Sequence, residues 1–130
     1  MRVVFDTNIF ISAFVFPAGQ AEQAILKVLE GKDKLLISKD ITDEVLSVLA
    51  RKFDRNSEAL AHTAVFLSEI AEMVKPSVKI KVLKDAADNR ILECAVSGRA
   101  DLIVTGDKEM LHLKQYEGIK ILSLRKYLTL

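Results

Sequence analysis

The sequence predicts an α/β fold in which helices cover both faces of a central parallel sheet. Short runs of β-branched and other apolar residues alternate along the chain with segments whose apolar residues recur at helical spacing. The runs are apolar throughout rather than at every second position, which is typical of strands buried on both faces. A chain of 130 residues corresponds to one domain. We therefore expect a single three-layer α/β/α sandwich over residues 1–130.

Five segments are predicted to be strands. Four are continuous apolar runs, as expected in the middle of a sheet. In the fifth, lysines alternate with apolar residues, which is typical of an edge strand because charged side chains there discourage pairing with other chains. The central strands are Arg2–Phe5, Leu35–Ser38, Leu102–Thr105 and Ile119–Leu122, and the edge strand is Val78–Val82.

The segments between the strands carry apolar residues at spacings of three, four and seven, which predicts helices. The longest starts near Ser57 and continues to Val74, just before Pro76. Its second apolar stripe, which includes Phe66, fits a contact with another protein chain or a wide core face. The stripe consists of Ala59, Phe66 and Met73. The other predicted helices are Ile9–Val15, Ala21–Leu29, Ile41–Phe53, Ile91–Val96 and Met110–Leu113, and a final turn is predicted at Leu124–Leu128.

Composition excludes several classes of protein. Half of the residues are apolar, which excludes a disordered chain, and the single cysteine excludes a disulfide framework. The net charge of +1 gives no bulk attraction for nucleic acid. The longest apolar stretch, Ile9 to Phe16, is far shorter than the ~18 residues of a membrane span. Asp6 and Asn8 also interrupt any signal sequence, so we expect a cytoplasmic protein without a membrane segment.

Two aspartates directly follow central strands of the predicted sheet. Asp6 follows the first strand, and Asp107 follows the fourth across Gly106. Ligands of open parallel sheets bind beyond the carboxyl ends of the strands, so these two are candidate site residues. Asp101 precedes its strand and is expected at the opposite edge. An aspartate after a strand is also a common helix N-cap, which by itself would explain either residue.

Two further carboxylates are placed by helical spacing. Asp88 shares the apolar face of its helix with Ile91, whereas Glu93 is predicted to point away. Glu44 lies at the border of an apolar face, and Asp43 on the exposed side. A carboxylate on a buried stripe is costly unless it is paired or binds a metal. An acid in a first helical turn also fits the helix dipole, and a lone Glu44 also fits the protein surface.

The four acids together indicate a site for one or two divalent cations, formed by Asp6, Glu44, Asp88 and Asp107. Two like charges ~4 Å apart repel by ~4 kcal/mol at an effective dielectric of ~20, so clustered carboxylates need a cation or shared protons. Carboxylate oxygens suit Mg²⁺ or Mn²⁺, and the isolated histidines and cysteine do not form a zinc motif. Such ions polarise a phosphodiester and acidify water, which indicates nucleic-acid hydrolysis.

Other polar residues close to these acids have two interpretations each. Asn8 and Thr105 fit an outer shell that orients the carboxylates, or ordinary cap and strand-end hydrogen bonds. The lysines at 75, 79, 81 and 84 fit either guidance of an RNA backbone or protection of a sheet edge.

Four motifs in the chain resemble those of the PIN domain family, in the family's order. They are Val3–Asn8, which contains Asp6; Ile41–Leu49, which contains Glu44; Asp88–Ala95; and Ala100–Asp107. The similarity extends over nearly the whole chain and is greatest to the VapC-type toxins of prokaryotic toxin–antitoxin pairs. One departure is at residues 85–89, where relatives often have Asp-Pro-Asp-Asp-Asn and this chain has Asp-Ala-Ala-Asp-Asn, so the role of Asp85 stays open.

The resemblance implies a PIN-like α/β/α sandwich with a parallel sheet in the order 3-2-1-4-5. It also implies a Mg²⁺- or Mn²⁺-dependent endoribonuclease whose acidic site is Asp6, Glu44, Asp88 and Asp107. A homodimer or higher oligomer and a cognate antitoxin that covers the site are further expectations.

Other functions fit parts of the same pattern. A PIN nuclease of RNA processing and a non-catalytic RNA-binding module share the fold. A phosphorylated receiver domain has a similar sheet but requires a lysine after its last strand, where this chain has Ser123-Leu124-Arg125. A haloacid-dehalogenase phosphatase requires Asp-x-Asp, where this chain has Asp6-Thr7-Asn8.

Overall fold

A computed structural model describes residues 1–130 and contains one mostly parallel sheet with seven helices. The strands are β1 (Arg2–Phe5), β2 (Lys34–Ser38), β3 (Ala71–Val74), β4 (Leu102–Val104), β5 (Gln115–Tyr116) and β6 (Ile119–Leu122). The helices are α1 (Thr7–Val15), α2 (Gln20–Leu29), α3 (Lys39–Phe53), α4 (Ser57–Ile70), α5 (Ala86–Ser97), α6 (Lys108–Leu113) and α7 (Leu124–Leu128).

The strand order across the sheet is β3-β2-β1-β4-β6-β5. All neighbours are parallel except the two-residue strand β5, which pairs antiparallel to β6 at one edge. The expected α/β fold is confirmed, and the first five positions follow the expected order 3-2-1-4-5. The short strand β5 adds an edge that the apolar pattern does not indicate.

The interior is one cluster of 33 buried apolar residues. Strand β1 lies at its centre, between β2 and β4, and Val3, Val4 and Phe5 are fully buried. Phe5 contacts the rings of Phe10 on α1 and Tyr127 on α7. The position directly after β1 is therefore held by packing on all sides, which makes it a rigid place for a functional side chain.

Most of the helices begin at a polar side chain that accepts a hydrogen bond from the first helical turn. Such N-caps satisfy backbone N–H groups that have no partner within the helix. Only α2, which follows Gly19, lacks a side-chain cap. Several of the caps come directly after a strand, so the sequence that ends a strand also starts the next helix. The caps are Asp6, Ser38, Asn56, Asp85, Asp107 and Ser123.

The third strand is not where the apolar pattern places it. The long helix ends at Ile70, and residues 71–74 form β3, which pairs with β2 from Ala71 opposite Leu35 to Val74 opposite Ser38. The prediction of a helix to Val74 is wrong because pairing with a distant strand outweighs the local helical spacing. Met73 therefore lies on a strand, and the predicted helical stripe of Ala59, Phe66 and Met73 does not exist.

The predicted edge strand Val78–Val82 is irregular chain. Residues 77–83, named here the α5 strap, are held by side chains of α5 instead of by a neighbouring strand. Glu93 Oε2 accepts a hydrogen bond from the N–H of Ile80, and Asn89 pairs with both the N–H and the carbonyl of Leu83. The nearby lysines thus do not protect a sheet edge, and guidance of RNA by them stays a prediction.

No single helix is long and apolar enough to cross a membrane. Helices α1 and α2 together have the length and apolar composition of a membrane span, but they meet at an angle of 102°.

Candidate active site

Asp6 is the most enclosed carboxylate at the carboxyl edge of the sheet. Its side chain caps α1 by accepting a hydrogen bond from the Asn8 N–H at 2.6 Å, and its other oxygen accepts one from the Thr105 hydroxyl. Burial raises the pKa of Asp6, the hydrogen bonds from Thr105 and Asn8 oppose that shift, and the charge of Asp107 adds to it. Asp6 is therefore a buried carboxylate without a cationic partner.

Thr105 connects Asp6 to Asp107. Its fully buried hydroxyl donates to Asp6 and accepts from the N–H of Asp107 at 3.0 Å. Asp107 caps α6, since its Oδ2 accepts from the N–H of Met110 at 2.8 Å. One hydroxyl thus fixes the carboxylate that follows β1 relative to the backbone that follows β4.

Asp88 lies half-buried in the first turn of α5, on the other side of the crevice. Burial and repulsion from Asp107, Asp85 and Asp6 raise the pKa of Asp88 to about 7, with Glu109 adding a smaller effect. Neither Asp6 nor Asp88 forms an ion pair. These two acids of the crevice therefore have no ion-pair partner within the protein.

A cavity of about 220 Å³ brings most of the predicted site residues together. Asp6 follows β1, Glu44 reaches it from α3 and Asp88 from α5, and Asn8 also lines it. A second cavity of about 240 Å³ adjoins it and shares Glu44. Asp107 does not line the cavity, although its charge acts on both Asp6 and Asp88.

The carboxylates that the sequence places outside the site are indeed elsewhere. Asp43 is exposed and forms an ion pair with Lys39 at 2.7 Å. Asp101 lies at the amino end of β4, where it accepts a hydrogen bond from the N–H of Arg2 at 2.8 Å. Asp85 caps α5 and lines the acidic cavity, so it is closer to the candidate site than its uncertain motif indicates.

The prediction that Glu93 points away from the interior is wrong. Glu93 is almost fully buried beneath the α5 strap, where it accepts hydrogen bonds from Ile80 N–H at 2.9 Å and from Arg90 at 2.6 Å. Burial opposes ionisation, but the hydrogen bonds from Arg90 and Ile80 hold the pKa of Glu93 below its ordinary value. Glu93 is therefore a structural ion-pair partner rather than part of the acidic crevice.

Three lining residues were not singled out from the sequence. Thr7 follows Asp6 directly, and Arg51 and Lys52 reach the cavity from the last turn of α3. Helical spacing offers a signal for both cations, because positions seven and eight residues after Glu44 lie on or near its face of the helix.

The donor set fits a hard divalent cation by its chemistry. Carboxylates and hydroxyls are the oxygen ligands that Mg²⁺ and Mn²⁺ prefer, and the mutual repulsion around Asp88 is what such a cation relieves. As the side chains stand, no group of three or more carboxylate, histidine or cysteine side chains is arranged to hold an ion.

Comparison with known proteins shows similarity to a family model, to one sequence relative and to solved structures. Residues 2–109 match the family model of the PIN domain. "Uncharacterized protein MJ1680" of Methanocaldococcus jannaschii is 30% identical over 118 residues, which cover 88% of this chain and 76% of that protein. A chain in the crystal structure of VapBC2 from Rickettsia felis, bound to a DNA fragment from its promoter, superposes with a TM-score of 0.68 at 16% identity.

The superposition on the Rickettsia chain covers 95% of this chain and 98% of that one. A chain of VapBC-1 from nontypeable Haemophilus influenzae gives the same TM-score of 0.68 at 18% identity, covering 96% of this chain and 99% of that one. These superpositions show that this chain shares the fold of the matched chains in the two VapBC structures.

The fold and the acidic crevice together define the class of PIN-domain nucleases. With its family match over most of its length, this chain belongs to the PIN domain family. Membership decides against the receiver-domain and dehalogenase-type alternatives, because those are different families with other site motifs.

Proposed function

We propose that this protein is a Mg²⁺- or Mn²⁺-dependent endoribonuclease, formed by one domain over residues 1–130. The observation that carries the proposal is the acidic crevice, in which Asp6, Glu44 and Asp88 line one cavity and none of them forms an ion pair. The charge of Asp107 raises the pKa values of both Asp6 and Asp88. Carboxylates kept together against their repulsion are typical of functional sites rather than of stabilising ones. PIN-domain family membership supports nuclease chemistry.

Asp6, Glu44, Asp88 and Asp107 are the proposed residues that hold one or two divalent cations. When bound, the cation would stabilise charge on the scissile phosphodiester and acidify the attacking water. Thr105 keeps the Asp6 carboxylate in one orientation through its hydroxyl hydrogen bond. Asn8 is proposed to orient ligands from the rim of the same cavity.

A role as the toxin of a toxin–antitoxin pair is the second part of the proposal, with RNA cleaved in the cytoplasm. Its support is the fold similarity to chains of VapBC complexes. An apolar cavity of about 410 Å³, lined by Phe14, Phe66 and the exposed Leu26 and Leu29, offers a surface for an apolar antitoxin segment. A homodimer, as in the family expectation, is proposed as the assembled form.

Cleavage of a panel of single-stranded and structured RNAs by the purified protein tests the proposal. Reactions contain Mg²⁺ or Mn²⁺, with EDTA and the Asp6→Asn variant as controls. We expect metal-dependent cutting that EDTA abolishes and that the variant lacks. Cutting that persists in EDTA, or that the variant retains in full, would contradict the proposal.

A further inference from the structure

Two cations share the acidic crevice without pairing to its acids. Arg51 and Lys52 line the cavity that Asp6 and Asp88 line, and neither forms an ion pair with any carboxylate. The Nε of Arg51 donates to Ser47 Oγ at 3.0 Å, and its terminal nitrogens have no hydrogen-bond partner in the protein. Lys52 makes no side-chain hydrogen bond. Both charged ends are therefore free for an anionic ligand.

The distance along α3 separates these cations from Glu44. Arg51 lies seven residues after Glu44, which is about 10 Å along the axis of an α-helix on nearly the same face. A phosphate held at Arg51 and Lys52 is consequently beside Glu44 rather than in contact with it. A chain of phosphates that crosses the crevice would meet the acids at one phosphate and the cations at a neighbouring one.

Basic residues in the last turn of a helix also have a simpler explanation, because they interact favourably with the helix dipole. The chain contains a matched pair for that effect. Arg125 and Lys126 lie in the last turn of α7, are exposed, and line neither of the two acidic cavities. Arg51 and Lys52 are exposed as well, and removing either pair changes the net charge by the same amount. The two pairs differ in place, because only Arg51 and Lys52 line the acidic crevice.

We propose that Arg51 and Lys52 bind the RNA phosphate next to the scissile one and so position the substrate across the acidic crevice. The inference rests on the proposed ribonuclease function and adds the residues that recognise the RNA backbone. Because the interaction is with a phosphate, it contributes affinity without base preference. Arg51 has a planar guanidinium that contacts two phosphate oxygens, whereas Lys52 acts as a point charge.

Binding of a 5′-fluorescein-labelled, mixed-sequence single-stranded RNA of about 20 nucleotides, measured by anisotropy in EDTA, tests the inference without cleavage. The double variant Arg51→Gln, Lys52→Gln is compared with Arg125→Gln, Lys126→Gln and the wild type. We expect about a tenfold loss of affinity in the crevice variant alone. The slope of log affinity against log salt should fall by about 0.7 to 1. Circular dichroism of each variant checks that the fold is retained.

Equal affinity and equal salt slope in the wild type and the crevice variant would overturn the inference, as would equal losses in the two double variants. Cleavage kinetics separate this result from the proposed function. If the proposed function holds, the crevice variant raises KM about tenfold and leaves kcat within about threefold. If the wild type binds RNA through Arg51 but never cleaves it, the result would contradict the proposed nuclease function. It would still support a phosphate-binding site at Arg51 and Lys52.

Discussion

The amino and carboxyl ends of the strands hold buried or half-buried carboxylates in opposite electrostatic surroundings. At the amino edge, Asp33 accepts a hydrogen bond from Tyr127 at 2.6 Å and contacts the N-terminal ammonium at 3.1 Å and Lys27 at 3.5 Å. Burial works against its ionisation, but these partners hold the pKa of Asp33 below its ordinary value. At the carboxyl edge, burial and neighbouring carboxylates raise the pKa values of Asp6 and Asp88.

The contrast indicates which edge stabilises the fold and which serves a function. Asp33 joins the chain terminus, α2 and α7, and its partners compensate its charge. Asp6 and Asp88 have no such partners and destabilise each other when ionised. Helix α5 repeats the contrast within one element, because Glu93 is paired with Arg90 whereas Asp88 is unpaired. Acids without an ion-pair partner, held in a rigid position, fit a site that a cation completes.

The largest expected effect comes from removing a carboxylate at the carboxyl edge. Asp6→Asn or Asp107→Asn should lower metal-dependent cleavage by more than about 100-fold, since loss of even an outer-shell partner typically costs 10–100-fold. Single-turnover RNA cleavage measures the effect. Asp43→Asn and Asp101→Asn are the matched controls, and a comparable loss in either would show that the acids of the crevice are wrongly chosen.

A smaller loss is expected from the hydroxyl that connects two of these acids. Thr105→Val keeps the shape of the side chain but removes the hydrogen bonds to Asp6 and from the Asp107 N–H. We expect Mn²⁺ affinity and cleavage to fall about 10- to 100-fold. Thr105→Ser should restore both, and failure of that variant to do so would point to packing rather than to the hydroxyl.

At the amino edge the expected effect is on stability alone. Asp33→Asn removes a charge that three partners contact, so the free energy of unfolding at pH 7 should fall by about 2 kcal/mol, without any loss of cleavage. Because folding lowers the pKa of Asp33, its contribution is present above the ordinary value of ~3.9 and is lost as the pH falls through the lowered value. Urea unfolding at pH 7 and below pH 4 measures this, and a variant as stable as the wild type at pH 7 would refute it.

The smallest expected effect has the opposite sign. Asp88→Asn should raise the free energy of unfolding in EDTA by about 1–2 kcal/mol at pH 8. This value takes into account that water screens the repulsion at the partly exposed Asp88. Folding raises the pKa of Asp88 to about 7, so the wild type loses stability as the pH rises from about 4 to 7. The advantage of the variant should therefore vanish near pH 4. Thermal unfolding across this range checks it, and a pH-independent difference would argue against repulsion.

Much of this fold follows from local sequence, and the exceptions have non-local causes. The continuous apolar runs of β1, β2 and β4 indicate central strands, whereas β6 has the exposed Lys120 between apolar residues. Strand β3 lacks such a run, and its residues continue the spacing of α4, so only the ladder to β2 makes it a strand. The conformation of the α5 strap likewise cannot be predicted from its own residues, because its backbone is hydrogen-bonded to side chains of a later helix.

The site divides in the same way. Position after a strand indicates where Asp6 and Asp107 lie, because a parallel sheet brings the carboxyl ends of its strands together. Helical spacing places Asp88 towards the crevice but fails for Glu93, since the α5 strap buries the face of α5 that the wheel leaves exposed. The pairing of Glu93 with Arg90 depends on that covering segment, which no periodicity of α5 reveals.

Titration of the protein with Mn²⁺ by isothermal calorimetry tests the central claim most directly. The claim is that the unpaired acids at the carboxyl ends of the strands form a cation site. We predict binding by the wild type and by Asp101→Asn with equal affinity, and a loss of more than about 100-fold in Asp6→Asn. Unchanged Mn²⁺ affinity in Asp6→Asn, or no binding by the wild type, would contradict it.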